Sequence, residues 1–277
     1  MNWTSRRCSR QSRLLPRARR NAVYALYAFA RTVDDIVDLP GAQPGAELDR
    51  VDKQLRLLLE SDWFRPSDPV QLALQATVER YHIAPEYFRA FMDAMRSDLA
   101  DTSSYATMAQ LRAYMYGSAA VIGLQLLPVL GTVGPVDDAA PAAAALGEAF
   151  QLTNFIRDVG EDLDRGRVYL PTDEWAAFGV DAAHLRTCRA RGYGDAHTRR
   201  ALQHFVALNR DVYRQAEPGI AQLAPRVRPG IRLAFELYAA ILDEVERNDF
   251  EVFDRRAMVP RRQKAIAWAR RSTSRAR

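Results

Sequence analysis

The stretch of the chain best equipped for chemistry runs from Gln151 to Asp162, with the sequence QLTNFIRDVGED. Residues three and four apart lie on one face of a helix. That spacing predicts an apolar face opposite a polar one made of Gln151, Asn154, Asp158 and either Glu161 or Asp162. Like charges at i and i+4 destabilise a helix, and an unpaired carboxylate costs roughly several kcal/mol when it is buried. The spacing of Asp158 and Asp162 therefore indicates a cation-binding face.

A second acidic cluster argues against the ordinary alternative, which is that the first one decorates a solvated surface. The motif DDIVD, from Asp34 to Asp38, closes a segment, Asn21 to Ala30, that is almost wholly apolar and is predicted to be buried. A buried helix that ends in carboxylates is difficult to explain as a solvated face. Two such helices facing each other would form a cage of oxygen ligands suited to Mg²⁺ and to the oxygens of a phosphate-bearing ligand.

The two motifs together resemble those of the squalene and phytoene synthase family, which joins prenyl diphosphates head to head, and especially its bacterial phytoene synthases. The second motif continues as LDRGRVYLP to Pro171 and is long and specific, whereas the first also occurs in other prenyl-chain enzymes. The resemblance extends from about Leu14 to Arg262. It includes three further segments, at 96–99, 114–123 and 238–245.

The resemblance implies an all-α fold, a single-domain helical bundle of the isoprenoid-synthase type around a central apolar cavity. It implies a prenyltransferase of carotenoid biosynthesis, of the 15-cis-phytoene synthase type. Such an enzyme condenses two geranylgeranyl diphosphates to phytoene through prephytoene diphosphate and releases two diphosphates. The cofactor expected is Mg²⁺ or Mn²⁺, and no NADPH is expected for phytoene formation.

The resemblance also implies roles for single residues. The expected metal ligands are Asp34, Asp38, Asn154, Asp158 and Asp162. The expected catalytic residues are the four aspartates of that set together with Tyr114, which should lie near the reacting carbons. The expected substrate contacts are Tyr27, Arg31, Gln151, Asn154, Arg157, Arg165, Tyr169, Tyr238 and Arg255. Arginines would neutralise the diphosphate and aromatic rings would stabilise a carbocation. Asp34→Asn or Asp158→Asn should abolish turnover and leave the fold intact, because each change removes one anionic metal ligand and little volume.

Two segments are given no functional role. The family usually carries an SxSFY-like element near its N-terminus, where this chain has TSRRC at 4–8. Asp98 and Asp101 follow Arg96 and are predicted to lie at a solvated helix end, although the family places this element near the site.

Helical periodicity dominates the chain and no strand pattern competes with it. The predicted helices span about 16–37, 46–60, 68–80, 85–99, 107–130, 138–164, 181–190, 195–216 and 230–248. The two at 181–190 and 195–216 are interpreted as amphipathic surface helices. Small residues from Gly117 to Gly123 would permit either close helix packing or room for a prenyl tail.

Composition indicates one ordinary globular domain, since 48% of the 277 residues are hydrophobic, 26% are charged and no low-complexity linker occurs. We divide the chain into a basic, poorly ordered segment at 1–13, a synthase domain at 14–262 and a basic tail at 263–277. The net charge of +5 is carried almost entirely by arginine, which suits phosphate binding but could equally reflect genome composition. Two isolated cysteines and four scattered histidines argue against a disulfide scaffold or a zinc site.

The chain is expected to be cytoplasmic. Apolar stretches such as Ala119 to Leu130 are too short and too interrupted to span a bilayer, and no signal peptide is visible. The basic ends could contact an anionic membrane, which suits lipid substrates. Prenyl diphosphates are the expected partners, and no nucleic acid is expected.

Three alternatives stay open. A shorter donor, farnesyl diphosphate, would make the chain a squalene, dehydrosqualene or hydroxysqualene synthase. A noncatalytic family member would act as an assembly or lipid-binding factor, but its aspartates should be eroded. A single-condensation prenyltransferase or terpene cyclase would share DDIVD, but the second motif fits neither class well.

Overall fold

The computed structural model describes residues 15–38, 43–61, 63–99 and 104–260. Within these ranges the chain is helical, and two isolated β-bridges, Ser104 with Val168 and Thr132 with Leu223, are the only extended pairings. The all-α prediction is confirmed. The predicted segments 1–13 and 263–277, which include TSRRC, lie outside the described residues, as does Asp101.

The α-helices of the described ranges are α1 Arg17–Asp38, α2 Pro44–Glu60, α3 Pro69–Tyr81, α4 Pro85–Leu99, α5 Met108–Met115, α6 Val121–Leu130, α7 Val136–Arg157, α8 Val159–Asp164, α9 Thr172–Ala176, α10 Ala182–Arg191, α11 Ala196–Ala216 and α12 Arg228–Arg247. A π-helical segment, Tyr116–Ala120, joins α5 to α6, and a 3₁₀ segment, Glu217–Gln222, follows α11.

Side-chain caps explain where several of these helices begin. Asp68 accepts hydrogen bonds from the first-turn amides of α3 at 2.9 and 3.0 Å. Thr107, Asp181 and Asp195 do the same for α5, α10 and α11. Such caps satisfy amides that have no partner inside the helix and contribute about 1 kcal/mol each.

The helix predicted over 138–164 is interrupted at Asp158, where φ is −102° and ψ is 10°. The bend sets α8 close to the segment after α12. A Cβ at Gly160 would lie 2.8 Å from the carbonyl oxygens of both Val252 and Phe253. Glycine at this position therefore permits the approach, and the bend changes the direction in which Asp162 points relative to α7.

The helix α7 lies at the centre of the bundle, packed against α6, the π-helical segment, α11 and α12. The prediction that 195–216 is a surface helix is wrong, because α11 buries a polar network against α7. The Asn209 amide donates to Thr153 Oγ1 at 2.9 Å, and Tyr213 pairs with the same hydroxyl at 2.9 Å. Sequence periodicity shows that a helix has a packed face, but it does not show how much of the bundle covers that face.

The prediction that the small residues permit close helix packing is confirmed. A Cβ on Gly123 would lie 2.2 Å from the Ala143 carbonyl oxygen, and one on Gly147 would lie 2.4 Å from that of Ala119. The helices α6 and α7 therefore cross backbone against backbone. Ala119 and Gly123 also line an apolar cavity, described below.

By length and composition alone, Met108–Leu130 is one helical run of the described chain that could cross a membrane. Its most apolar window is 61% buried inside the bundle. The core helix of a globular bundle meets the same criteria.

Because α6 and α7 cross so closely, adding one methyl group at a glycine in the crossing should strongly reduce stability. We expect Gly147→Ala to lower the free energy of unfolding by about 1–3 kcal/mol, because the added carbon overlaps backbone rather than a flexible side chain. Chemical denaturation measures the change. Gly134→Ala is the matched control, since nothing lies within 4 Å of its added Cβ. Equal stability of the two variants would contradict the close crossing.

Candidate active site

The two aspartate motifs meet in one polar cavity of about 40 Å³. Asp34 and Asp38 enter it from the end of α1, and Asp158 and Asp162 enter it from the bend between α7 and α8. Arg167, in the turn after α8, donates to Asp38 Oδ1 at 3.3 Å. This contact joins the end of the first motif to the segment that follows the second. The structure thus brings together the four aspartates predicted as ligands.

Two of these carboxyl groups have strongly raised pKa values. Burial is the main cause at Asp34, with the charges of Asp38 and Asp98 adding to it, and the pKa is raised to about 7. Burial and then the charge of Asp158 raise the pKa of Asp162 to about 7 as well. A desolvated carboxylate beside another carboxylate favours the protonated form. A bound cation would reverse this preference.

Asp158 differs because two arginines already hold it. Arg157 donates from Nε and Nη2 at 2.6 and 2.5 Å, and Arg256 donates from Nε and Nη2 at 2.7 and 2.8 Å. A carboxylate offers about four acceptor positions, so all four are occupied. Asp158 can ligate a metal only after a guanidinium group withdraws. Arg256 lines the cavity whereas Arg157 does not.

Arg157 holds Asp158 in place by hydrogen bonds but does not itself line the cavity. Its side chain is buried, with 6% of its surface exposed. Burial alone would lower the pKa of the guanidinium, but the hydrogen bonds and charge of Asp158 outweigh it and hold the pKa above its usual value. The pair is therefore a buried ion pair in which each partner depends on the other.

Arg255, which was predicted to contact the substrate, does not line the polar cavity, whereas its neighbour Arg256 does. Arg255 is exposed and lines neither of the cavities described here, whereas Arg256 binds Asp158. The segment after α12 is irregular, with Phe253 and Ala257 buried on either side of the two arginines. No helical period was available to decide which of two adjacent arginines faces inward.

Tyr238 also does not line either cavity. Its ring stacks on Phe150 with 4.2 Å between centroids and 23° between planes. Phe150 lines the apolar cavity, so Tyr238 supports the wall from behind. Its position on α12 was predicted to face inward, but Phe150 of α7 occupies the space between Tyr238 and the cavity.

Asp98, predicted to lie at a solvated helix end, lines the polar cavity. The hydroxyl of Tyr114 donates to its Oδ2 at 2.7 Å. Burial raises the pKa of Asp98 to about 6, against the opposing effects of the Tyr114 hydrogen bond and the Arg167 charge. The signal was present in the sequence, because Phe91, Met95 and Asp98 follow one another at helical spacing. The buried face of α4 therefore continues into Asp98.

Aromatic rings form one side of the polar cavity. Tyr114, Phe155 and Tyr169 all line it. The rings of Phe155 and Tyr169 stack with 4.3 Å between centroids, and Tyr114 lies 5.9 Å from Tyr169. We call these three rings the aromatic wall. Arg165 is exposed and also lines this cavity, and Arg167 donates to the Tyr169 hydroxyl at 3.2 Å.

An apolar cavity of about 210 Å³ adjoins the polar one. The two share Asp34, Gln151 and Asn154 as lining residues, and the Asn154 amide donates to Gln151 Oε1 at 3.3 Å. Tyr27 and Arg31, which were predicted to be a pocket wall and a diphosphate contact, line the apolar cavity on α1. Arg31 is ion-paired with Asp35.

The apolar cavity follows α7 along one face. Its lining residues on that helix recur every three or four positions, namely Ala139, Ala142, Ala143, Leu146, Gly147, Phe150, Gln151 and Asn154. At 1.5 Å per residue, the distance from Asn154 to Ala139 is about 22 Å. The cavity is therefore long and narrow, with its polar end at the aspartates.

The donor atoms of the polar cavity fit a hard divalent cation. Carboxylate and amide oxygens are the ligands that Mg²⁺ and Mn²⁺ prefer, whereas soft metals prefer thiolate and imidazole. Four aspartates and Asn154 supply such oxygens. The arginines at the same cavity suit phosphate oxygens, which guanidinium groups bind in a bidentate manner.

A second group of metal-type ligands exists away from this site. The ligand atoms of His184, Cys188 and Asp195 all lie within 4.8 Å of one another, a proximity that their sequence spacing did not indicate. His184 Nε2 lies 3.0 Å from Asp195 Oδ2, and the other carboxylate oxygen caps α11. Both carboxylate oxygens of Asp195 therefore have protein partners, one in His184 and the other in the amides at the start of α11.

Comparisons with known proteins agree with this geometry. The family model described as Squalene/phytoene synthase matches residues 2–263. A phytoene synthase of Arthrospira platensis is 38% identical over 263 residues, which cover 90% of this chain and 82% of the relative. A 15-cis-phytoene synthase of Synechococcus elongatus is 37% identical over 259 residues, which cover 89% of this chain and 82% of the relative. A crystal structure of a dehydrosqualene synthase in complex with a ligand matches with a TM-score of 0.88 at 28% identity, covering 98% of this chain and 92% of that one.

Proposed function

Because the chain belongs to the squalene/phytoene synthase family, we propose that it condenses two geranylgeranyl diphosphates head to head to phytoene. The reaction passes through prephytoene diphosphate and releases two diphosphates. One observation carries the proposal. A long apolar cavity opens into a cavity of carboxylates and arginines at Asp34, Gln151 and Asn154, as an apolar tail with a diphosphate head requires.

The polar cavity would bind the diphosphate and its counter-ions. Enzymes of the prenyl diphosphate synthase type generally depend on a divalent metal. We infer that Mg²⁺ or Mn²⁺ would be held by Asp34, Asp38, Asn154 and Asp162, and by Asp158 once Arg256 releases it. When bound, such an ion neutralises the leaving diphosphate as a Lewis acid. Arg165, Arg167 and the released Arg256 would bind the remaining phosphate oxygens.

The rest of the site would protect and steer the carbocation that forms when the carbon–oxygen bond breaks. The rings of the aromatic wall face the polar cavity, and each can stabilise a nearby cation by about 0.5–2 kcal/mol. The apolar cavity excludes water from the tail and from the reacting carbons. Two carbon–oxygen bonds break with their electrons leaving on diphosphate, two protons leave, and the two electron pairs that the protons leave behind form the carbon–carbon double bond that joins the two chains. No electrons are added overall, so the proposed reaction requires no NADPH.

Product analysis tests the function directly. Purified chain incubated with geranylgeranyl diphosphate and Mg²⁺ should give phytoene and diphosphate. Chelation with EDTA should stop product formation, because the clustered carboxylates lose their counter-ions, and readdition of Mg²⁺ should restore it. The absence of phytoene in the metal-restored sample would contradict the proposal.

The same assay with farnesyl diphosphate separates the second candidate function. The 0.88 TM-score with a dehydrosqualene synthase favours this alternative, because the two chains share most of their fold. Higher kcat/KM with the fifteen-carbon donor would identify a squalene-type or dehydrosqualene-type synthase. A noncatalytic role is disfavoured because all four motif aspartates are present and lie in one cavity.

A further inference from the structure

Three side chains of metal-binding type meet between α10 and the start of α11, and none of them lines either cavity described above. His184 and Cys188 are four residues apart on α10 and so lie on one face of it. Asp195 is the residue that caps α11. One ligand atom from each residue, an imidazole nitrogen, a sulfur and a carboxylate oxygen, lies within 4.8 Å of the other two. These are the ligand types that Zn²⁺ binds in proteins.

The spacing of the three atoms is close to that of a tetrahedral metal site. Ligand atoms bound to one Zn²⁺ at about 2.0–2.3 Å are roughly 3.3–3.6 Å apart, and His184 Nε2 lies 3.0 Å from Asp195 Oδ2. This nitrogen is a buried atom, yet it is not aligned with the carboxylate for a hydrogen bond and makes none. A divalent cation between the two atoms would bind both of them.

The sulfur of Cys188 has surroundings that suit a metal-bound thiolate. The residue is 4% exposed and is the only cysteine in the part of the chain that the structure describes. The backbone amide of Asp195 and the hydroxyl of Thr198 hydrogen-bond to its sulfur, and contacts of this kind orient the ligands of metal sites. Burial and then the charge of Asp195 nevertheless keep the pKa of the thiol above its usual value. The thiolate therefore needs a neighbouring cation.

We propose that His184, Cys188 and Asp195 bind a divalent cation of the Zn²⁺ class at a site separate from the aspartate motifs. The cation would bind the sulfur, His184 Nε2 and Asp195 Oδ2, and the thiol proton would pass to solvent. Three protein ligands leave the fourth tetrahedral position to water. The two sites would select different metals, because thiolate and imidazole ligands favour Zn²⁺ whereas carboxylate and amide oxygens favour Mg²⁺.

The cation would stabilise a part of the fold on which the segment after α12 packs. In the loop between α10 and α11, the Gly194 amide donates to Glu251 Oε2 at 3.0 Å. Arg189 of α10 donates to the carbonyl oxygen of Phe253. The same segment carries Arg256, which binds a motif aspartate. Joining α10 to α11 across this loop would therefore fix the surface against which that segment lies.

Titration with Co²⁺ is the sharpest test, because a bond between Co²⁺ and a thiolate gives a charge-transfer absorption band that carboxylates do not give. The full chain is stripped of metal with EDTA, transferred to excess Mg²⁺ to fill the aspartate site, and titrated. We expect the band to saturate at one equivalent per chain, and Zn²⁺ to displace Co²⁺ with a Kd below about 10 μM. Zn²⁺ at about a hundredfold excess over its Kd should raise the thermal midpoint by about 5 °C.

Variants of the cysteine and the histidine each have a matched control. Cys188→Ala should lose the absorption band, and Cys8→Ser, at the other cysteine of the sequence, should keep it. His184→Gln should weaken Zn²⁺ binding at least about tenfold. His204→Gln should not, although His204 has the same 32% side-chain exposure and is also paired with a carboxylate.

Asp195→Asn separates metal binding from helix capping. Asparagine caps a helix about as well as aspartate, so the variant should keep its fold and weaken Zn²⁺ binding at least about tenfold. Asp181→Asn is the control, because Asp181 caps α10 in the same way without belonging to the three ligands. It should bind Zn²⁺ as wild type does.

Four results would overturn the inference. They are absence of the band in wild type, a band that survives in Cys188→Ala, a Kd for Zn²⁺ above about 10 μM, and equal stabilisation of wild type and the ligand variants by Zn²⁺. If Cys188→Ala does not fold, His184→Gln and Asp195→Asn, both at partly exposed positions, give the same comparison. These measurements use no prenyl substrate, so a failure of the proposed function appears separately, as absence of phytoene.

Discussion

Replacing Asp34 with asparagine should abolish turnover and at the same time stabilise the metal-free protein. Turnover should fall by at least about a thousandfold, because an anionic ligand is lost from a site whose bound cation contributes several kcal/mol to the transition state. Stability should rise because Asp34 is a buried carboxyl group, 6% exposed, in the company of other carboxylates. Its charge is costly until a cation binds.

The direction of the pH dependence follows from the raised pKa. Burial, with Asp38 and Asp98, raises the pKa of Asp34 from 3.8 to about 7 in the folded chain. The folded state therefore binds the proton more tightly than the unfolded state, and stability is lost as the pH rises from about 4 to about 7. Asparagine carries no charge at any pH, so the variant does not lose this stability as the pH rises. The variant should thus be more stable by roughly 2–4 kcal/mol at pH 8.

Denaturation of both proteins in EDTA, at pH 8 and at about pH 4, measures this difference. The advantage of Asp34→Asn should be present at pH 8 and largely lost near pH 4, where the wild-type carboxyl group is protonated in the folded state and partly protonated in the unfolded state. Equal stability at both pH values would contradict the assignment of Asp34 as a desolvated, unneutralised carboxyl group.

Asp158→Asn is the informative comparison, because we expect the opposite effect on stability. Asp158 neutralises Arg157, which is buried and 6% exposed. Breaking a buried ion pair by removing one partner costs about 3–5 kcal/mol. Turnover should be lost in both variants, but only Asp158→Asn should lower the free energy of unfolding. The expectation from sequence that both changes leave the fold intact is therefore revised for Asp158.

Ala143→Phe should shift the preference of the enzyme from the twenty-carbon to the fifteen-carbon donor. Ala143 lines the apolar cavity and lies eleven residues, or about 16 Å, before Asn154 along α7. A phenyl ring there would close the distal part of the cavity, which a tail shorter by five carbons does not need. Turnover of geranylgeranyl diphosphate should decrease at least about a hundredfold, since overpacked pockets discriminate by several kcal/mol.

The measurement is kcat/KM for each donor, made in parallel on a control variant. Ala144→Phe places the same ring one residue further along α7, at a position that does not line the cavity. The control should keep the wild-type ratio of the two donors. An unchanged ratio of kcat/KM for the two donors in Ala143→Phe, at unchanged thermal stability, would show that the tail does not occupy this part of the cavity.

The sequence predicted the helices and the acidic site well because both depend on local spacing. Aspartates four residues apart on an apolar segment can be recognised without a structure, and so can the start of a helix at Asp68 or Asp195. Arg255 and Arg256 could not be distinguished, because the segment that carries them is irregular and its side chains follow no period. The place of Tyr238 depended on Phe150, a residue from another helix, which no local pattern reports.

Asp98 shows a different limit. Its position on the buried face of α4 could be read from the spacing of Phe91 and Met95, but an acidic residue in the last turn of a helix is more often solvated than buried. Only the approach of Tyr114 from α5 shows that the carboxyl group has a partner and a cavity. The contact joins residues sixteen positions apart, and it depends on how α4 packs against the helical run that begins at Met108.

The close crossing of α6 and α7 limits how the tail-binding cavity could evolve or be engineered. Where Gly123 and Gly147 meet carbonyl groups, that wall consists of main chain, and no choice of rotamer can widen it. Room for a bulkier or branched isoprenoid would have to come from the facing helices, for example by trimming Val23 on α1 or Ile231 on α12, which also line the cavity. Libraries aimed at unnatural terpenoids should therefore vary those two helices and leave the glycines unchanged.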